Sequence, residues 1–269
     1  MELNEILTIA VKARGSDIHI KTGLPPIVRI DGKLHPIPNA QRLGPDVVSS
    51  IANMMMNDRQ RRIFEENSEV DMAYAVPGLG RFRVACYRQR GTIALVFRAI
   101  SMKIPTMEEL NLPPVLQKLC LEERGLILVT GTTGSGKSST LAAMIDHINN
   151  HRTCNIITIE DPVEFLHRDN KCIISQREVG TDTPTFSSAL KGALRQDPDV
   201  ILVGEMRDYE TIETAMTAAE TGHLVMSTLH TMDAPETINR IISVFPPYHQ
   251  RQVRIQMASI IKGIISQRL

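Results

Sequence analysis

One octapeptide constrains this chain more than anything else in it. Gly131-Thr-Thr-Gly-Ser-Gly-Lys-Ser138 matches the phosphate-loop pattern G-x-x-x-x-G-K-[ST] in full. The pattern carries chemistry only between a strand and a helix, and the flanks supply both. Leu126-Ile-Leu-Val is an apolar run before it, and Lys137–Asn149 reads as a helix after it. Each residue type has a task. Glycines let the loop wrap with its N–H groups inward, and those groups with the helix N-terminus hold phosphate oxygens. Lys137 is then placed to reach the β- and γ-phosphates, and the Ser138 hydroxyl to ligate Mg²⁺. The expected nucleotide cradle is Gly131, Thr132, Thr133, Gly134, Ser135, Gly136, Lys137, Ser138 and Ser139. ATP and Mg²⁺ are the implied ligands.

The rhythm around this motif is strand, helix, strand, helix. Gly125–Thr130, Asn155–Glu160, Asp199–Gly204 and His223–Leu229 read as strands, and Ser187–Arg195, Tyr209–Glu220 and Ala234–Val244 as helices. The strands are nearly continuous apolar runs, which marks strands covered on both faces, as in a parallel sheet between helix layers. Residues 1–100 differ. Val28-Arg-Ile-Asp-Gly-Lys-Leu reads as a hairpin turning at Asp31-Gly32, and Pro45–Asn67 as two helices. Glu69–Tyr74, Gly80–Arg88 and Thr92–Arg98 are expected as consecutive strands with short turns, hence an antiparallel sheet. The expected class is α/β, with an α+β domain at 1–100, a proline-punctuated linker at 101–114 and an ATPase domain with a mainly parallel sheet at 115–269.

Turnover needs more than a phosphate loop. Two acidic clusters follow at the C-terminal ends of expected strands, where ligands sit in open α/β sheets. They are Ile159-Glu-Asp-Pro-Val-Glu164 and Val203-Gly-Glu-Met-Arg-Asp208. The competing reading for each is helix capping, because acids favour helix N-termini. His223 and His230 bracket the next strand, and their spacing of seven puts them on opposite pleat faces, which argues against a shared metal site.

Composition removes other classes. Thirty basic and thirty acidic residues balance, so charge makes no case for nucleic acid or an anionic membrane surface. The acidic, polar start is not a secretion signal, and no apolar run approaches the roughly 18 residues of a membrane-spanning helix. Cys86, Cys120, Cys154 and Cys172 form no C-x-x-C pair, so neither zinc nor a redox pair is indicated. Three of them sit in apolar runs and read as small core residues, which fits a reducing cytoplasm.

Four segments together carry a family resemblance: Gly131–Ser139, Ile157–Phe165, Leu194–Asp208 and Thr221–Thr231. In order they resemble the Walker A, Asp, Walker B and His boxes of the type II/IV secretion ATPase superfamily. The likeness is strongest to PilT-type pilus retraction ATPases, and Ser16-Asp-Ile-His and Gly80-Arg-Phe-Arg extend it over the N-terminal half. The resemblance implies a PAS-like N-terminal domain, a RecA-like C-terminal domain and a homo-hexamer. It also implies a cytoplasmic location peripheral to the inner membrane and a pilus platform protein as partner, with no insertion of the chain itself. Glu164 resembles the glutamate that activates water, and Glu205 the Walker B acid that supports Mg²⁺ through water. His223 and His230 resemble residues coupling the nucleotide to motion. Thr132 stands where the family commonly has proline, and the family continues with more helices, including a motif needed for retraction, past the position of Leu269.

Two rivals stand beside a retraction motor: a pilus-assembly or type II secretion ATPase, and a nucleotide-gated regulatory subunit with little turnover. Phosphoryl transfer spreads negative charge that one lysine does not cover, so an arginine finger is expected. The candidates are Arg83, Arg98 and Arg124, acting across a subunit boundary. Arg195 and Arg207 have acidic neighbours that would already pair with them.

Overall fold

A computed structural model describes residues 2–100 and 103–268. The chain divides into two compact units, Met1–Ser101 and Met102–Leu269. Among the described residues no helix is long and apolar enough to cross a membrane.

The first unit holds helices α1 (Leu3–Lys12), α2 (Pro45–Met55) and α3 (Asp58–Asn67) and strands β1 (Asp17–Lys21), β2 (Ile27–Ile30), β3 (Lys33–Pro36), β4 (Glu69–Val76), β5 (Gly80–Gln89) and β6 (Thr92–Ala99). Its sheet runs β3-β2-β1-β6-β5-β4, antiparallel at every pairing. The β2–β3 hairpin turns at Asp31 and Gly32, both at positive φ, as a two-residue primed turn requires. Phe82, Val84 and Cys86 alternate into a core shared with Ile6, Ile18 and Leu95, which leaves Arg83 on the opposite face.

The second unit contains α4 (Val115–Leu119), β7 (Gly125–Thr130), α5 (Lys137–His151), β8 (Asn155–Glu160), β9 (Ile173–Glu178), α6 (Phe186–Ala193), β10 (Val200–Val203), α7 (Tyr209–Glu220), β11 (Leu224–Leu229), α8 (Ala234–Ser243), α9 (Gln250–Ile260) and β12 (Ile261–Ser266). The sheet order is β12-β7-β11-β10-β8-β9, and every pairing is parallel. Alternate strand residues feed two cores. Leu126, Leu128, Ile157, Ile201 and Val225 pack with α6, α7, α8 and α9, while Ile127, Val129, Ile156, Leu202 and Met226 pack with α5. Burying each such side chain is worth about 1.5–3 kcal/mol, which is why both faces of these strands are mainly apolar.

The stretch expected as a linker is not free-standing where it is described. Met107 is buried in the α5-side core beside Leu116 and Cys120, so residues 103–114 are part of the second unit; 101 and 102 lie outside the described residues. The cysteines also hold something their spacing hides. Cys154 and Cys172 are opposite each other where β9 joins β8, with Sγ atoms 3.3 Å apart. Burial pushes the Cys154 thiol up to about 12, so it stands as a neutral, weakly reactive thiol.

Candidate functional site

The loop after β7 is built on glycine where no other residue fits. Gly131 has φ of 144°, and a Cβ there would fall 2.4 Å from the Gln267 carbonyl oxygen. Gly136, at φ of 88°, turns the chain into α5 as its N-cap without a capping side chain. The first amides of α5 are thereby left for a ligand. Lys137 is buried, and its Nζ donates to the carbonyls of Gly131 and Thr132, both at 2.9 Å. Burial lowers its pKa, and the nearby carboxylates of Glu164 and Glu205 work against that shift. The ammonium is thus held across the loop it would use on a phosphate.

Because the strands are parallel, the loops that follow them emerge on one edge of the sheet. The segments after β7, β8, β10 and β11 converge there around a cavity of about 380 Å³. Lys137 and Ser138 line it from α5, Glu164 from the loop after β8, Glu205 from the loop after β10, and His230 from the end of β11. Two backbone ties set the Glu205 segment. The Gly204 N–H donates to the Ile159 carbonyl at 2.7 Å, and the Thr228 hydroxyl donates to the Gly204 carbonyl at 2.6 Å. Glu205 pairs with Arg207 at 2.8 Å and lies 3.7 Å from His230 Nε2.

Behind these groups the wall is unusual. The Glu160 carboxyl lines the cavity, and burial raises its pKa while donors from Thr158 (2.6 Å) and Gln176 (3.1 Å) pull it back. His167 also lines it. Burial takes its imidazole down to about 4, so it is neutral at pH 7, and its buried Nδ1 has no hydrogen-bond partner. Among the described residues no three His, Cys, Asp or Glu side chains converge as a metal cage.

This edge of a parallel sheet, with a phosphate loop and two carboxylates on neighbouring strands, is where the comparison with known proteins becomes decisive. The family model for type II/IV secretion system proteins matches residues 1–269. The chain belongs to that family. Among curated relatives, it is 49% identical to the type IV pilus retraction ATPase PilT of Pseudomonas aeruginosa, over all of this chain and 78% of that protein. It is 44% identical to the type IV pilus ATPase PilU of the same organism, over all of this chain and 70% of that one. The crystal structure of the pilus retraction motor PilT with bound ADP superposes with a TM-score of 0.94, covering all of this chain and 78% of that chain. This member of the secretion family is an ATPase.

The fold of this secretion-family chain brings together some of the residues expected at the site and separates others. Thr133, Gly134, Gly136, Lys137, Ser138 and Ser139 line the cavity. Gly131, Thr132 and Ser135, also expected in the cradle, do not line it: the carbonyls of Gly131 and Thr132 hold Lys137, and Ser135 packs buried against Gly131. Glu164, Glu205 and His230 face the cavity. His223 does not line it. It precedes β11 at the far end of that strand, about 20 Å along the chain direction from His230, where its Nδ1 meets the Ala218 carbonyl at 2.9 Å. Arg124 is exposed at the start of β7, likewise a strand's length from the phosphate loop that ends it.

Arg83 pairs with Asp71 at 3.2 Å, and Arg98 with Asp17 at 2.9 Å. Burial pushes the Asp17 carboxyl up, but Ser16, Arg98 and Arg29 outweigh it and hold the pKa below its usual value. Glu160 was visible only as part of an acidic cluster. His167, Gln176 and Glu178 carried no signal of their own, since they surround an irregular loop and an edge strand with no apolar run.

Proposed function

We propose that this chain is the ATP-hydrolysing motor of type IV pilus retraction, the movement behind twitching. The observation that carries the proposal is the meeting of Lys137, Glu164 and Glu205 at one cavity. The similarity to a pilus retraction ATPase, over all of this chain and 78% of that protein, supports the direction of the motor. Lys137 holds the β- and γ-phosphates, and Glu164 accepts the proton of the attacking water. Ser138 and Glu205 offer hard oxygen donors that fit Mg²⁺, which neutralises phosphate charge when bound. His230, near the Glu205 carboxylate, reports the state of that site along β11, and His223 is the other end of the same strand. In this reading the first unit is a PAS-like domain and the second RecA-like. Six chains form a ring at the cytoplasmic face of the inner membrane, against a pilus platform protein and without nucleic acid.

Deleting the gene tests the direction. A retraction motor predicts cells that keep surface pili and lose twitching. Bald cells would identify an assembly or secretion motor instead. Purified protein that binds ATP and releases no phosphate would identify the regulatory subunit.

A further inference from the structure

Glu164 sits on a loop with little regular structure between Asp161 and Cys172, and the side chain is exposed. A general base on such a loop needs its backbone fixed from outside. The contacts that do this come largely from one edge strand. In β9, Gln176 and Glu178 are two apart and share a pleat face, directly opposite Thr158 and Glu160 of β8. The buried carboxylate of Glu178 accepts the Val163 N–H at 3.1 Å, one residue before Glu164. The Gln176 amide works at both ends. Its Nε2 donates to the Phe165 carbonyl at 2.8 Å, one residue after Glu164, and its Oε1 accepts the His167 N–H at 2.9 Å. The same Nε2 donates to Glu160 Oε1 at 3.1 Å. The Thr181 hydroxyl steadies Glu178 from behind at 3.1 Å.

We propose that Gln176 and Glu178 are positioning residues for ATP hydrolysis: from β9 they clamp the backbone on both sides of Glu164 and set its carboxylate opposite Lys137. The inference rests on reading Glu164 as the base. A primary amide suits Gln176, because it donates to one backbone group and accepts from another without carrying charge beside Glu160. A carboxylate there would repel Glu160 and lose the Phe165 bond.

The test is steady-state ATPase kinetics with ATP affinity measured in parallel, on full-length Gln176→Met, Glu164→Gln and the double variant. Misplacing a catalytic group by about 1 Å costs roughly 10²-fold. Gln176→Met should therefore lose up to about that factor in kcat while KM and ATP affinity stay within about twofold. In the Glu164→Gln background the same change should cost nothing further, because no carboxylate is left to position. Glu178→Gln, which keeps an acceptor for Val163, should retain most of the rate that Glu178→Leu loses. A slow Glu164→Gln beside a Gln176→Met of wild-type kcat overturns the clamp alone. So does a Gln176→Met that loses ATP affinity along with rate, or a full further loss in the double variant. A Glu164→Gln protein at wild-type rate overturns the base assignment and the clamp with it.

Discussion

At the scale of single residues, the site turns on groups whose protonation the fold sets by burial. Lys137 is held by two loop carbonyls that compete for its charge, and burial lowers its pKa. Lys137→Ala leaves the loop amides in place but removes the cation that this reading assigns to the phosphates. ATP binding measured by calorimetry should fall below detection while the unfolding midpoint changes little. Unchanged affinity would refute the phosphate-loop assignment. His167 gives a pH prediction with a defined sign. Its imidazole titrates near 6.5 when unfolded and at about 4 when folded, because burial disfavours the charged form. Between those values the unfolded chain binds more protons, so stability rises with pH across that window and levels off above it. Urea denaturation at several pH values should show this slope, and His167→Gln should flatten it. An unchanged slope in the variant would assign the effect to another group.

Secondary-structure elements explain what the sequence made legible and what it hid. β7, β8, β10 and β11 stand out as largely apolar runs because helices cover both their faces, and the polar residues within them, such as Thr158, Ser227 and Thr228, are buried. β9 and β12 are the edges of the same sheet. Ile173-Ile-Ser-Gln-Arg-Glu turns mostly polar, and its Gln176 and Glu178 serve the loop beside it rather than a core. The strand was invisible to a rule tuned to central strands, and with it went the support for Glu164. Helix α9 carried a usable signal in Val253, Met257 and Ile260, an apolar stripe at helical spacing, and these three are its buried residues. The structure divides the second acidic cluster between two places. Glu205 faces the cavity, whereas Asp208 is the N-cap of α7, accepting the Thr211 N–H at 2.9 Å and its hydroxyl at 2.7 Å. Asp208→Ala should cost about 1 kcal/mol of stability, the usual worth of such a cap, with kcat nearly unchanged. A loss of turnover without loss of stability would move Asp208 into the reaction.

At the scale of the whole molecule, the phosphate loop brings one lysine, and the expected arginines of the first unit are engaged within it. Arg83 and Arg98 already hold Asp71 and Asp17, so a role in phosphoryl transfer requires those pairs to open, at a cost of about 0–1 kcal/mol for the exposed Arg83 pair and more for Arg98, whose partner Asp17 is buried. Mixing tests whether they act across subunits. Arg83→Ala and Glu164→Gln chains, each nearly inactive alone, should recover ATPase activity in mixed rings, because some sites receive intact groups from both. Mixed rings without recovery would exclude action in trans. The claim beneath all of this is that Lys137 binds and Glu164 hydrolyses at one cavity. The most direct measurement is ATP binding and phosphate release side by side for wild type and Glu164→Gln. The amide keeps the shape and loses the proton acceptor, so affinity should be preserved while turnover drops by on the order of 10²–10⁴-fold. Equal turnover in the two proteins would contradict the account.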